Sequence, residues 1–270
     1  MCNLVGYTLI NMETIRELKE ICQPHRTNLP KSKDWGYLKH RELSVYITKA
    51  ILELTGGKIK PNHLSLFNIL FGLILLSSIA LGTEDRPLFL ILLFLFYFSF
   101  LLDKVDGEIA RYRSIVTLRG TYLDEIYHLF VQNGLILAIA INHSLIYLGM
   151  VGFFLFFLTR YLNKLRYSIY AKYKPERNKF SMKKNLNKAE KLLVSFLNIP
   201  PLKLCSVARR HDIFLFLAFL LSIFCFNSTT VWFWFLLLWA AMLTINVLRF
   251  LLINYFYIDR DVQLVDENKL

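Results

Sequence analysis

The chain has 270 residues, 55% of them hydrophobic and 15% aromatic, with mean hydropathy +0.42 and a formal net charge of +12. Water-soluble domains of this length are less apolar, so the composition excludes an ordinary soluble fold. The positive balance would suit a membrane surface, a phosphorylated substrate or nucleic acid, but no recognisable nucleic-acid-binding module is present and the last is set aside.

Residues 1–36 read as a polar N-terminal appendage of weak periodicity, to which the sequence assigns no role. The first sixty residues are polar or amphipathic, which argues against a cleavable signal peptide. Residues 37–57 read as an amphipathic juxtamembrane helix. Leu43, Tyr46, Ile47, Ala50, Ile51 and Leu54 recur on one face, Lys39, Arg41, Glu42, Lys49 and Glu53 lie elsewhere, and Gly56-Gly57 ends it. Such a helix lies either in the cytoplasmic interface with its apolar side in lipid or packed on protein.

Pro61 suits a first helical turn and opens the first apolar span; Asn62 and Ser65 beside it can cap that helix. Six stretches are long enough to approach a bilayer crossing, near 63–83, 87–109, 121–142, 145–169, 212–227 and 229–256. The expected fold is therefore all-α and polytopic, with residues 58–270 forming one six-helix membrane domain. Lys and Arg gather before residue 61, at 104–119 and at 160–210, whereas the short intervening loops carry only Arg86. This alternation places both termini on the cytoplasmic side. The polar insertion at about 170–211, broken by Pro200-Pro201, reads as a cytoplasmic helix or hairpin. The four cysteines, Cys2, Cys22, Cys205 and Cys225, imply no disulfide framework, and Cys22 with His25 makes only a lone CxxH.

The most informative segment is LLDKVDGEIARYRSIVTLRGTYLDEIYH, which sets three carboxylates and an arginine among apolar runs. Charge at the edge of hydrocarbon is costly and is kept where it does chemistry or carries ions. At helical spacing Asp103, Asp106, Gly107 and Ala110 share one face, as do Gly120, Asp124 and His128. Two such faces opposed gather acidic oxygens around a small space, a site for hard divalent cations. An acidic ion path through a transporter would explain the aspartates but not Gly107, Ala110, Arg111 and Gly120 at their spacings.

Read in full, the pattern is D-x2-D-G-x2-A-R-x8-G-x3-D-x3-H. It resembles the signature of the CDP-alcohol phosphotransferase (phosphatidyltransferase) family, D-x2-D-G-x2-A-R-x8-G-x3-D-x3-D, at seven of eight fixed positions. The resemblance implies an integral-membrane transferase that moves a substituted phosphate from a CDP-alcohol to an acceptor hydroxyl and releases CMP, in phospholipid or polar phosphodiester biosynthesis. It implies that Asp103, Asp106 and Asp124 bind a pair of Mg2+ or Mn2+ ions. It implies equally that Asp103, Gly107, Ala110, Arg111 and Gly120 line the CDP pocket, that Asn62 and Ser65 approach the nucleotide if they do not merely cap the helix, and that the active site faces the cytoplasm. A homodimer formed through the spans is also implied; the aromatic run GFFLFFL beginning at Gly152 suits such an interface or lipid equally.

The departure is at the last position, where the family's aspartate acts as general base and touches a metal and this chain has His128. A neutral imidazole can do both jobs, since it binds transition metals and accepts a proton near neutral pH. The other reading is a catalytically inactive homologue that serves as a membrane binding or scaffold protein. Arg160, Lys164 and Arg166, at the cytoplasmic end of the fourth span, are candidates for holding a phosphorylated acceptor, with Arg209, Arg210 and Arg249 as further cations; orientation by positive charge explains the same residues. The sequence separates neither the alcohol donors nor the acceptors.

Overall fold

The computed structural model describes residues 14–23, 35–82, 85–173 and 210–266, with isolated positions between 192 and 208. Among these residues the regular structure is entirely helical. In chain order the helices are α1 (Ile15–Cys22), α2 (Trp35–Thr55), α3 (Pro61–Ala80), α4 (Arg86–Tyr112), α5 (Leu118–Ile126), a π-helical turn (Tyr127–Gln132), α6 (Asn133–Asn142), α7 (Ile146–Tyr173), α8 (His211–Cys225) and α9 (Thr229–Asp266). The chain divides into two compact units, Met1–Ser78 with Ile91–Gln132, and Ile79–Leu90 with Asn133–Leu270.

In the first unit the N-terminal appendage contains an ordered helix. Thr14 and Glu17 form a reciprocal capping box, with the Thr14 amide donating to Glu17 Oε2 at 2.6 Å and the Glu17 amide to Thr14 Oγ1 at 3.3 Å. The bond from the Thr14 backbone, and then that from its hydroxyl, hold the Glu17 carboxyl below its ordinary value. Leu18 and Cys22 on α1 pack in one core with Val45 and Leu52 of α2, Leu64 of α3, and Val105 and Ile109 of α4. Gly56 and Gly57 end α2 as expected, both at positive φ. Their amides reach back to the Glu53 and Leu52 carbonyls at 3.2 and 2.9 Å and satisfy two otherwise orphaned acceptors.

The protein-facing side of α2 is not the apolar stripe read from its sequence. Ser44, Val45, Thr48 and Leu52 are buried, whereas Leu43, Tyr46, Ala50 and Leu54 are exposed. Ser44 and Thr48 are buried because their hydroxyls serve a carboxylate, that of Glu108 on α4, at 2.6 and 2.7 Å.

In the second unit α6 and α9 pack on α7. Small residues permit the approach: a Cβ placed on Gly149 would stand 2.4 Å from that of Ala140, and one on Gly152 would stand 2.4 Å from Ile136 Cδ1. Gly149→Ala should therefore lower the stability of this unit by roughly 1–3 kcal/mol, the ordinary cost of overpacking. Thermal unfolding in detergent micelles reads this directly, and an unchanged midpoint would count against the close packing. Phe89, His143, Phe226 and Trp232 form a ring cluster in the same unit, His143 stacking on Trp232 with centroids 4.5 Å apart. Within the GFFLFFL run, Phe156 is buried and Phe154 is exposed.

Among the described residues, four helical stretches are long and apolar enough to cross a membrane: Pro61–Ala80, Arg86–Tyr112, Ile146–Leu165 and Thr229–Leu252. They carry exposed large apolar side chains such as Leu66, Phe67, Ile74, Phe94, Phe154 and Trp234, which marks the chain as an integral membrane protein. The other two expected spans differ from simple crossings. α8 has 15 residues, about 22 Å of helix against a hydrocarbon core of about 30 Å. The stretch expected at 121–142 is helical but is divided among α5, the π turn and α6. The polar insertion expected at about 170–211 lies mostly outside the described residues, with α7 continuing to Tyr173.

Candidate functional site

The signature folds as a helix, a tight turn and a second helix. α4 ends where Ser114 takes φ 52°, and the Ser114 and Ile115 amides bond back to the Arg111 and Ala110 carbonyls at 3.0 and 2.9 Å. Three residues later Thr117 caps α5, its hydroxyl accepting from the Gly120 amide at 3.1 Å. The same hydroxyl donates to Asn62 Oδ1 at 3.3 Å, which ties this turn to the start of α3.

A cleft of about 190 Å3 lies between these elements. Asn62, Ser65, Gly107, Ala110, Arg111 and Gly120 all line it, as do Asp106 and Asp124. Six of the seven residues expected around a nucleotide thus share one concavity. Asp103 is the exception: it lies deeper, with its side chain 1% exposed. Asn62 and Ser65 fall inside α3 rather than ahead of it. Ser65 donates its hydroxyl to Asp106 Oδ2 at 2.6 Å, and fixes that carboxylate at the cleft wall.

The glycines matter by what they leave out. A Cβ on Gly120 would sit 3.1 Å from Asn62 Oδ1, and one on Gly107 would sit 3.4 Å from an Arg111 Nη. Gly107→Leu should fill the cleft and push the guanidinium aside, weakening CDP binding by about 100-fold on the scale of one disrupted bidentate charge pair. Calorimetric titration with CDP checks this, provided circular dichroism shows the helices retained.

Next to the cleft, Asp103, Asp124 and His128 bring one ligand atom each within 4.8 Å of one another. His128 Nε2 lies 3.9 Å from Asp103 Oδ2 and 3.5 Å from Asp124 Oδ1. Oxygens and nitrogens bound to one ion at about 2.1 Å lie up to about 4.2 Å apart, so this donor set fits a divalent cation after small side-chain rotations. Asp106, also expected among the ligands, lines the cleft with Asp124 and accepts from Ser65. Asp124 is the member common to group and cleft.

The π turn begins where α5 ends and carries His128 and Gln132. π turns inside α-helices recur at functional sites because the extra residue re-aims side chains. Here Gln132 Oε1 stands 2.5 Å from His128 Nδ1. A proton on Nδ1 donated to that oxygen would leave the Nε2 lone pair on the side of the two carboxylates.

Two participants had been missed in the sequence. Lys104, whose neighbours in the signature drew the attention, bonds Asp103 Oδ2 and lies 5.0 Å from the Phe100 ring centre. Thr117 carried a readable signal, a threonine three residues before a helical glycine, but only the fold connects it to Asn62. The acceptor candidates Arg160 and Lys164 lie on α7 in the second unit. The side chains of Arg166 and Arg209 are outside the described residues. Arg210 pairs with Asp212 at 2.6 Å, and Arg249 donates to the Leu197 carbonyl at 2.6 Å.

No curated protein matches the chain. A family model described as CDP-alcohol phosphatidyltransferase matches residues 58–207, more than half of the 270 residues and the whole of the signature. On that match the chain belongs to the CDP-alcohol phosphatidyltransferase family.

Proposed function

We propose that this protein is an active, divalent-metal-dependent transferase that moves a substituted phosphate from a CDP-alcohol to an acceptor hydroxyl with release of CMP, in phospholipid or polar phosphodiester biosynthesis. Family membership carries the reaction class, the transfer of phosphate-linked groups from CDP-alcohols. The observation that carries the rest is the adjacency of the lined cleft to the Asp103–Asp124–His128 group. The proposal assigns Mg2+ or Mn2+, two ions, to Asp103, Asp106, Asp124 and His128. Metal held by these residues would supply positive charge to the pyrophosphate and its phosphorus.

The chain's own residues do the remainder. Gly107, Ala110 and Gly120 admit the nucleotide, Arg111 donates paired bonds to its phosphate or ribose oxygens, and Asn62 and Ser65 border it. Asp103 contributes through the metal group rather than the cleft wall. His128 would serve through Nε2 in one of two ways, holding an ion or accepting the acceptor's hydroxyl proton, since one lone pair cannot do both at once. Arg160, Lys164 and Arg166 would hold a phosphorylated acceptor.

The accompanying architecture is six membrane crossings, with α8 and the divided 118–142 stretch completing the set, and α2 in the interface. The exposed Leu43, Tyr46 and Leu54 side of α2 supports the last point. Residues 1–36, 37–57 and 58–270 then form appendage, juxtamembrane helix and membrane domain, the termini and cleft face the cytoplasm, and two copies pair through their spans. His128 in place of aspartate also favours a second reading, a catalytically inactive homologue acting as a membrane binding or scaffold protein. Titration of the purified protein with CDP and Mn2+, followed by CMP-release assays across CDP-alcohols and acceptors, tests the two. Binding with release supports the transferase, binding without release across all acceptors supports the second reading, and no CDP binding rejects the transferase.

A further inference from the structure

The family match begins at residue 58, yet the wall behind the cleft is completed by residues that precede it. Helix α4 presents Gly107, Ala110 and Arg111 to the cleft and Val105, Glu108 and Ile109 to the core it shares with α1 and α2. Glu108 is fully buried and accepts three side-chain hydrogen bonds: from Gln23 Nε2 at 2.7 Å, Ser44 Oγ at 2.6 Å and Thr48 Oγ1 at 2.7 Å. Gln23 spends its second amide proton on the Arg41 carbonyl at 2.9 Å, so it joins α1, α2 and α4. One residue earlier, the carbonyl of Cys22 accepts from Arg111 Nε at 2.5 Å.

That last bond is the consequential one. A guanidinium is planar, and fixing its Nε fixes the edge that its two Nη groups present. Here the Nη groups lie beside Gly107 in the cleft wall. The carbonyl that fixes them sits at the end of α1, which Leu18 and Cys22 anchor in the core and Gln23 anchors to Glu108. A backbone acceptor cannot be read from a sequence motif, so this role is invisible to the signature.

We propose that α1 with Gln23 is a positioning element of the nucleotide cleft, setting the Arg111 guanidinium through the Cys22 carbonyl and through Glu108. The proposal rests on the reading of the cleft as a CDP site. It gives the N-terminal appendage a task in substrate binding that the family-matched residues do not perform alone.

A double-mutant cycle on the full-length protein in nanodiscs, titrated with CDP in the presence of Mn2+, separates positioning from plain structural support. Gln23→Ala should weaken CDP binding by about tenfold, on the scale of a lost hydrogen bond to a charged group. In the Arg111→Ala background the same change should cost less than about twofold, because the group it positions is already gone. Leu18→Ala, which loosens α1 without touching any polar contact, should show the same loss and the same non-additivity. It replaces Gln23→Ala in the cycle if that variant does not fold. Equal losses in both backgrounds, or no loss in either, would overturn the proposal while leaving the CDP reading intact. Absence of CDP binding by the unaltered protein would overturn the CDP reading itself, and the proposal with it.

Discussion

Replacing His128 with alanine is expected to cut CMP release by about 10²–10⁴-fold, the usual contribution of a positioned general base, while CDP still binds. The expectation comes from the imidazole's two sides. Nδ1 faces Gln132 Oε1 at 2.5 Å, and Nε2 faces Asp124 and Asp103 at 3.5 and 3.9 Å. With the proton on Nδ1, one ring nitrogen donates to Gln132 and the other is left as the acceptor on the side of the two carboxylates. None of the cleft-lining residues is His128 itself, so nucleotide affinity should survive the substitution. His128→Asp, which restores the family's residue, should retain turnover. Unchanged turnover in His128→Ala would remove the base from His128, and the inactive-homologue reading predicts no release from the unaltered protein at all.

Much of this site was readable because its spacing is helical. Gly107, Ala110 and Arg111 reach one cleft with Gly120 and Asp124 because two regular helices carry them, and regular helices preserve periodicity. The reading was coarser where the helix is irregular. The π turn at Tyr127–Gln132 falls on the last signature position, and no pattern of single residues announces it. Asp103 and Asp106 were placed together by the same periodicity; Asp103 joins Asp124 and His128, while Asp106 lines the cleft with Asp124. Separating them took Ser65, 41 positions away, whose hydroxyl bond to Asp106 depends on tertiary packing.

On α2 the buried Ser44, Val45, Thr48 and Leu52 lie off the apolar stripe read from the sequence, of which Ile47 and Ile51 pack against the core. Ser44 and Thr48 look like solvent-facing residues until Glu108 is placed against them. Likewise α1 is too short to stand out by periodicity, and its Thr14–Glu17 capping box is the one local signal that marks it. What was hidden in each case was a polar residue satisfied by a distant partner, which burial rules based on hydrophobicity assign to the surface.

Asp124→Asn is expected to weaken Mn2+ binding by about 100-fold or more, because even partners one layer behind a metal ligand cost about 10–100-fold when changed. Asparagine keeps the shape and removes the charge, so the loss reports on ligation rather than packing. Asp124 is also half exposed, 46% by side chain, at the edge where group and cleft meet. Its charge therefore serves the ion without the burial cost that falls on Asp103. Asp106→Asn makes the informative comparison. Asp106 is held by Ser65 and stands apart from the three-residue group, so an ion bound by Asp103, Asp124 and His128 should keep its affinity within about threefold. Only a second ion, if Asp106 helps to hold it, would be lost. Electron paramagnetic resonance titration of Mn2+ into nanodisc-embedded protein without substrate reads both affinity and stoichiometry. Two ions falling to one in Asp106→Asn would support the paired-metal site, and a single ion unaffected by that change would reduce the centre to the Asp103–Asp124–His128 group. Retention of tight Mn2+ binding in Asp124→Asn would remove that group as the metal site.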